Sequence, residues 1–404
     1  MTRRPLYIIT LLFILFALNA CATYGAHEVG PTAIHQAKEQ IPEEALMDVG
    51  IEVFQSAELS EEDAKDEGTT PEIRKAEGHY MPYHLKNTLQ RSSHWGAVRV
   101  LPADAKGSDL LVRGEIIESN GEHLVVKVEA VDAAGNTWLN KTYELEADEK
   151  SYTGNVQGEK DAFQDLYNTV ANDLAAYRGE KAPADLLKIR RISTLQFASD
   201  FAPEIFSEYL RIDKEGKVTI IRLPSDDDPM MERLLQIRER DNMYVDTLNE
   251  YYDVFYNEMW PAYEDWRKAN QSEQVALRKI KREATMKAVG GVLLLVAAVA
   301  LGSSDIASGA LPGLMVVGGT ALVVNGINVS REAEIHREAI KELSESFGNE
   351  MKPMVMEFQG KKYELTGSAE EQYRRWKELL RKIYFAETGF VPEGKAGEKH
   401  PKGD

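Results

Sequence analysis

The chain has 404 residues, 43% of them apolar and 28% charged, an ordinary globular composition whose length suits two or three units. Lysine and arginine number 48 against 66 acidic residues, a formal charge of −18. That sign argues against nucleic-acid binding, which needs a basic face. A single cysteine excludes an internal disulfide and any multi-cysteine zinc or iron–sulfur site.

The amino terminus reads as an export signal. Arg3 and Arg4 precede an apolar run of 13 residues, Leu6 to Leu18, and Asn19, Ala20 and Cys21 follow. A basic start, a short apolar stretch and small residues at its end describe a secretory leader, and the run is too short to span a bilayer comfortably. The sole cysteine falls where cleavage is expected. Leu18-Asn19-Ala20-Cys21 resembles the lipobox of bacterial lipoproteins. The resemblance implies removal of residues 1–20 and diacylation of the Cys21 thiol. With Ala22 next in line instead of Asp, it also implies sorting to the outer membrane. Multiple acyl chains would anchor the protein stably. Loss of Arg3 and Arg4 with the leader leaves a mature charge of −20.

Residues 21–47 lack periodicity and read as a tether between lipid and fold. Residues 48–55 alternate as a strand should, and an acidic loop runs from Glu58 to Thr70. Pro71 opens a helical pattern through Ile73, Ala76, Tyr80, Tyr83, His84 and Leu89, in which Pro82 is expected to kink or split the helix. Ala97–Leu101 is a short strand. Leu110–Glu118 and His123–Val131 flank Ser119-Asn120-Gly121-Glu122, whose Asn-Gly pair suits a type I′ hairpin. Leu124, Val126, Val128 and Ala130 give that hairpin one wholly apolar face. Asp132 to Asn136 forms the next turn, Thr137–Glu146 a third strand, and residues 161–177 an amphipathic helix. The order β-α-β-β-β-α describes a small α+β domain over residues 48–178, with enough apolar surface to be expected to fold alone.

The segments Ser108–Ile116, Leu124–Trp138 and the preceding Leu85–Val100 resemble the CsgG and TolB amino-terminal type of envelope domain. That type has a strand with a central glycine, a valine-rich strand, an Asp-x-x-Gly turn and a last strand. The likeness covers under half of the mature chain. Its turns here hold about four or five residues, so the long membrane hairpins of the curli secretion lipoprotein, and its pore, do not carry over.

From residue 179 to 286 the pattern is helical. Residues 184–206 read as two short helices broken near Ser193–Ser199 and Pro203, and 217–223 as a strand. Ser225-Asp226-Asp227-Asp228-Pro229 reads as a helix start in preference to a cation site. A long helical stripe from Met230 to Asn257 carries Leu234, Tyr244, Leu248, Tyr252 and Tyr256. Trp260-Pro261 is expected to break it before a second segment, Ala262–Met286. The aromatic spacing favours a buried helix–helix contact over a stacking platform for bases or glycans.

Residues 287–330 are the most unusual stretch, since Ala288 to Ser330 carry one charge, Asp305, in 43 residues. This reads as an apolar helical hairpin, turning before Pro312, that enters the membrane or self-associates. Ala284/Ala288, Ala298/Gly302 and Gly309/Gly313 are small pairs four apart that permit close helix approach in lipid. The competing reading is a hairpin buried as protein core. Residues 331–390 supply a charged helix, a hairpin around Gln359-Gly360 and a final helix over 370–386. Residues 391–404 have a disordered composition.

No nucleophile elbow, zinc-binding helix, Walker loop or dinucleotide fingerprint occurs in the sequence. None of the eight histidines stands at a recognisable metal-ligand spacing, His79 and His84 included. Asn140, Asn270 and Asn328 fit the glycosylation pattern, which a bacterial lipoprotein would rarely use. The expectation is a non-enzymatic, outer-membrane-anchored periplasmic lipoprotein that scaffolds an envelope complex through a protein partner or self-association, with no metal or cofactor. The alternatives are a peptidoglycan-binding or cell-wall-enzyme-activating lipoprotein, and a hydrolase with an unrecognised site.

Overall fold

The computed structural model describes residues 31–56, 59–60, 64, 68–102, 105–157, 159–225, 227–300, 335–345, 353–358 and 361–389, with side chains except at 277, 280–300, 357 and 358. Ala33–Asp404 gather into one compact unit; of the other, Met1–Thr32, only Pro31 and Thr32 are described.

The chain mixes α and β. Strands β1 (Val49–Glu52), β2 (Gln55–Ser56), β3 (Val98–Leu101), β4 (Leu110–Ser119), β5 (His123–Asp132) and β6 (Thr137–Glu146) form one sheet in the order β3-β1-β4-β5-β6, with β2 also beside β4. β1 runs parallel to β3 and β4, whereas β4, β5 and β6 are antiparallel, with Val126 facing Ile116 and Tyr143. Helices α1 (Pro71–Ser92) and α2 (Gln164–Gly179) cover one face. Leu124, Val126, Val128 and Ala130 are buried there, so the alternation in the sequence marks the inner face. The opposite face carries half-exposed charges, in which Arg113 pairs with Glu52 at 3.1 Å and Glu129 at 3.6 Å.

The turn between β4 and β5 is not type I′. Among the described non-glycine residues only Ser93 has positive φ, so Asn120 does not take the left-handed conformation that turn requires. Instead the Asn120 side-chain oxygen accepts the Glu122 and His123 amides at 3.0 and 2.8 Å, an Asx-type turn, and Gly121 alone has positive φ. The Asp132 turn uses the same chemistry: its carboxylate accepts the Asn136 amide at 2.8 Å and the Trp138 ring N–H at 2.8 Å.

Beyond the sheet come α3 (Pro183–Phe201), α4 (Pro203–Phe206), a hairpin of β7 (Leu210–Ile212) and β8 (Val218–Ile220), and α5 (Pro229–Ala300). A helical segment α6 over 335–345, the hairpin of β9 (Met354–Phe358) and β10 (Lys361–Leu365), and α7 (Ala369–Thr388) complete the description. The break expected near Ser193 is absent, because the Ser193 hydroxyl turns back to its own helix and to Asp109; only Pro203 interrupts the run. Asp228 accepts the Met230 and Met231 amides at 2.9 and 3.3 Å, so the acidic Ser225–Pro229 segment starts a helix.

Neither proline splits its helix. α1 passes through Pro82 and α5 through Pro261 without interruption. A proline inside a helix leaves the carbonyl four residues back without its amide partner. In α1 that carbonyl belongs to Gly78, and the Phe54 N–H donates to it at 2.9 Å. In α5 it belongs to Asn257, and the Gln157 side-chain amide donates to it at 3.3 Å. The Phe54 contact also explains why the strand expected over 48–55 is split in two.

Two apolar cores result. The first joins the sheet, α1 and α2 to Tyr252, Tyr256, Met259, Tyr263 and Trp266 of α5, and to Ile340 of α6. The aromatic stripe is thus a buried helix contact. The core of residues 48–178 is completed by residues from outside that range. The second core packs Leu234, Ile237 and Leu248 of α5 against Phe197, Phe201 and Phe206 and against α7. One helix threads both.

The tether assignment also changes. From Ala33 to Leu46 the chain lies along the body: Asn172 bonds the Ala33 carbonyl and the His35 amide, Ala37 N–H donates to Ser92, and Arg178 and Arg190 hold the Ala45 and Glu43 carbonyls.

Candidate functional site: the joint between the sheet and the long helix

The densest buried polar chemistry among the described residues lies where α5 crosses α1 and the β4–β5 turn. Arg267 of α5 donates to both Asp161 oxygens, at 3.1 and 2.6 Å, and to Glu264 at 2.6 Å. Its guanidinium also lies 4.3 Å from the Tyr263 ring centroid. Burial pulls the Asp161 carboxyl upward, but Arg267, His84 and the Phe163 amide outweigh it and hold the group below its ordinary range. Arg267 is held well above its own.

One helical turn back, Glu77 of α1 is fully buried. Arg74 meets it at 3.1 Å, and the Ser119 and Tyr263 hydroxyls donate to its other oxygen at 2.6 and 2.7 Å. Burial outweighs these donors, so its carboxyl sits above the usual carboxylate range. Tyr80 stacks on Tyr256 with centroids 4.7 Å apart. His84 holds the Tyr256 hydroxyl 2.7 Å from Nδ1 and the Gln164 amide 3.0 Å from Nε2. With that amide oriented to satisfy its neighbours, Gln164 donates to Nε2. Burial pushes the imidazole down to about 4. His84 is therefore a satisfied core histidine at neutral pH.

The turn itself is clasped from above. The Asn270 side-chain nitrogen donates to the Gly68 and Asn120 carbonyls at 2.7 and 2.6 Å, so this buried, engaged nitrogen is not open to a glycan. Gly121 lies so close beneath α5 that a Cβ there would come within 2.3 Å of the Arg267 carbonyl. Only glycine fits this position. Arg278 then reaches Glu122 and, at 3.5 Å, Glu146. Glu122, His123 and Glu146 bring ligand-type atoms within 4.8 Å of one another, a cluster the spacing analysis missed because β6 delivers Glu146 from a distance in sequence. The guanidinium of Arg278 already supplies both carboxylates with their countercharge, so the group reads as an ion-pair latch.

Chemically, the joint holds a helix. Glu77, Asp161 and Glu264 are each engaged by cationic or hydroxyl donors, which fixes geometry and occupies the lone pairs a substrate or metal would need. Of the residues singled out from sequence, Leu18, Asn19, Ala20, Cys21, Gly302, Gly309 and Gly313 lie outside the described residues. Ala284, Ala288 and Ala298 belong to α5, with their side chains outside the description. Among the described residues no helix is long and apolar enough to cross a membrane. No family model, no curated protein and no solved structure matches this chain.

Proposed function

We propose that the protein is an outer-membrane-anchored periplasmic lipoprotein acting as a non-enzymatic scaffold: a body tethered through Cys21 that holds out one long helix to an envelope partner or to a second copy. The observation that carries this reading is the course of α5. It is fixed in both cores, is held as far as the Arg278 latch, and remains helical to Ala300. The 22 residues after Arg278 span about 33 Å at 1.5 Å per residue. They include the start of the apolar run, Ala288 onward. The docked Ala33–Leu46 segment supports the anchor, because it leaves eleven residues, twelve Cα–Cα steps, between Cys21 and Ala33, a reach of at most about 43 Å.

Labelled fatty acid should enter the wild-type chain and not Cys21→Ser, and equal labelling would overturn the anchor. A photo-crosslinking residue at the exposed Val275 should trap one discrete envelope partner or a second copy. Absence of any discrete adduct, with the label intact, would overturn the scaffold role while leaving the anchor standing.

A further inference from the structure

A cavity of about 440 Å³ opens between the first half of α5, β9 and α7. Met243, Met354, Met356 and Ile383 line it with apolar surface, and Tyr244 and Trp376 add a pair of rings stacked 4.9 Å apart. Methionine walls adapt to the shape of what they hold. Arg240 and Glu387, also on the lining, pair with each other at 3.2 Å, so the cavity presents no uncompensated charge there. Two polar groups of the lining stand out: the buried Tyr244 hydroxyl and the Trp376 indole N–H meet no acceptor at hydrogen-bond geometry among the described residues. An unpaired buried donor costs free energy that an incoming acceptor recovers. Met243 on the lining is 61% exposed, so apolar surface leads outward from the cavity.

We propose that this cavity binds a small uncharged apolar ligand carrying a carbonyl-type oxygen, which accepts a hydrogen bond from Tyr244. Its size and lining match those of small-molecule sites, mainly apolar with a few fixed polar groups. A charged ligand would have to strip its hydration against a pair of side chains that already neutralise each other. The inference stands apart from the lipid anchor and from the scaffold reading.

The test uses the full chain carrying Cys21→Ser, titrated with prodan, an uncharged naphthalene ketone whose emission shifts to the blue in apolar surroundings. A parallel titration uses the same dimethylaminonaphthalene without its propionyl group. Saturable one-site binding of prodan is expected. Tyr244→Phe should weaken it about fivefold while changing the carbonyl-free probe less than about twofold, as loss of one hydrogen bond predicts. Met356→Trp, which fills the cavity, should abolish both. Met243→Glu, at an exposed position where folding is not at stake, should weaken both. Non-saturable binding, or binding indifferent to Met243→Glu and Met356→Trp, would overturn the proposal. So would a change in sedimentation of Met243→Glu without loss of probe binding, which would make the groove a contact between copies.

Discussion

Arg267 and Asp161, 106 positions apart in sequence, meet through two hydrogen bonds in a site where neither side chain is more than 2% exposed. A pair so deeply buried adds less to stability than its geometry suggests, because both ions were stripped of water; breaking it is another matter. Arg267→Met should leave Asp161 charged and unpaired and destabilise the fold by about 3–5 kcal/mol. Adding Asp161→Asn should recover much of that loss. Urea denaturation midpoints of the two single variants and the double variant measure the coupling. Because the folded pKa of Asp161 is depressed, its contribution is present above the ordinary carboxylate value and is lost as pH falls through the folded one.

Two other buried groups give opposite pH slopes in the acid range. His84, lowered to about 4 by burial, is neutral in the fold while the unfolded chain protonates near 6.5, so stability falls as pH drops between those values. His84→Gln should flatten that fall, by up to about 3 kcal/mol at pH 4.

Asp241 works the other way. Burial against α7 raises it to about 6, with Tyr373, Lys377 and Trp376 of α7 and Arg238 of its own helix easing it down. The fold therefore prefers the protonated acid, and stability is lost as pH rises from about 4 to 6. Asp241→Asn should stabilise the protein at pH 7 by up to about 3 kcal/mol and remove that slope. Thermal melts across pH 4–7 separate the two variants, and an unchanged slope in either one would refute its assignment.

Asn249 of α5 donates to the Val100 carbonyl at 2.8 Å and accepts the Val100 amide at 2.9 Å, taking the place of a neighbouring strand along β3. Asn249→Leu should leave both groups unpaired, cost about 1–3 kcal/mol, and expose a sheet edge able to pair with other chains. Chemical denaturation and light scattering on warming read the two effects separately.

An excised fragment of residues 33–182 should lack a cooperative melt, because Tyr80, Tyr83 and His84 lose the cover of Tyr252, Tyr256 and Tyr263. Adding a separate α5 peptide, residues 229–279, should restore it. A cooperative transition in the fragment alone would show that the sheet and its two helices suffice.

The elements legible in the sequence were those whose cause is local. Alternation of Leu124, Val126, Val128 and Ala130 marked a buried strand face, Asp228 before Pro229 marked a helix start, and the spacing of Tyr244, Leu248, Tyr252 and Tyr256 marked a buried stripe. What escaped was set at long range. The Arg267–Asp161 pair, the Asn270 clasp on the turn and the Arg278 latch each join segments more than 100 residues apart, and no spacing rule connects them. The docking of Ala33–Leu46 escaped for the same reason, since irregular backbone held by Asn172, Arg178 and Arg190 has no periodicity of its own.

The two prolines inside continuous helices have a consequence for alignment. A regular helix offers a docking loop a uniform ladder with every interior carbonyl spoken for, and so nothing by which to measure position along its axis. Pro82 and Pro261 each strike one rung from that ladder, at Gly78 and Asn257, and a single loop group fits each gap. Sliding either helix by one residue would present a closed rung to Phe54 or Gln157 and turn the open one away through about 100°. The prolines thus act as index marks that set both the height and the rotation at which α1 and α5 meet the rest of the chain.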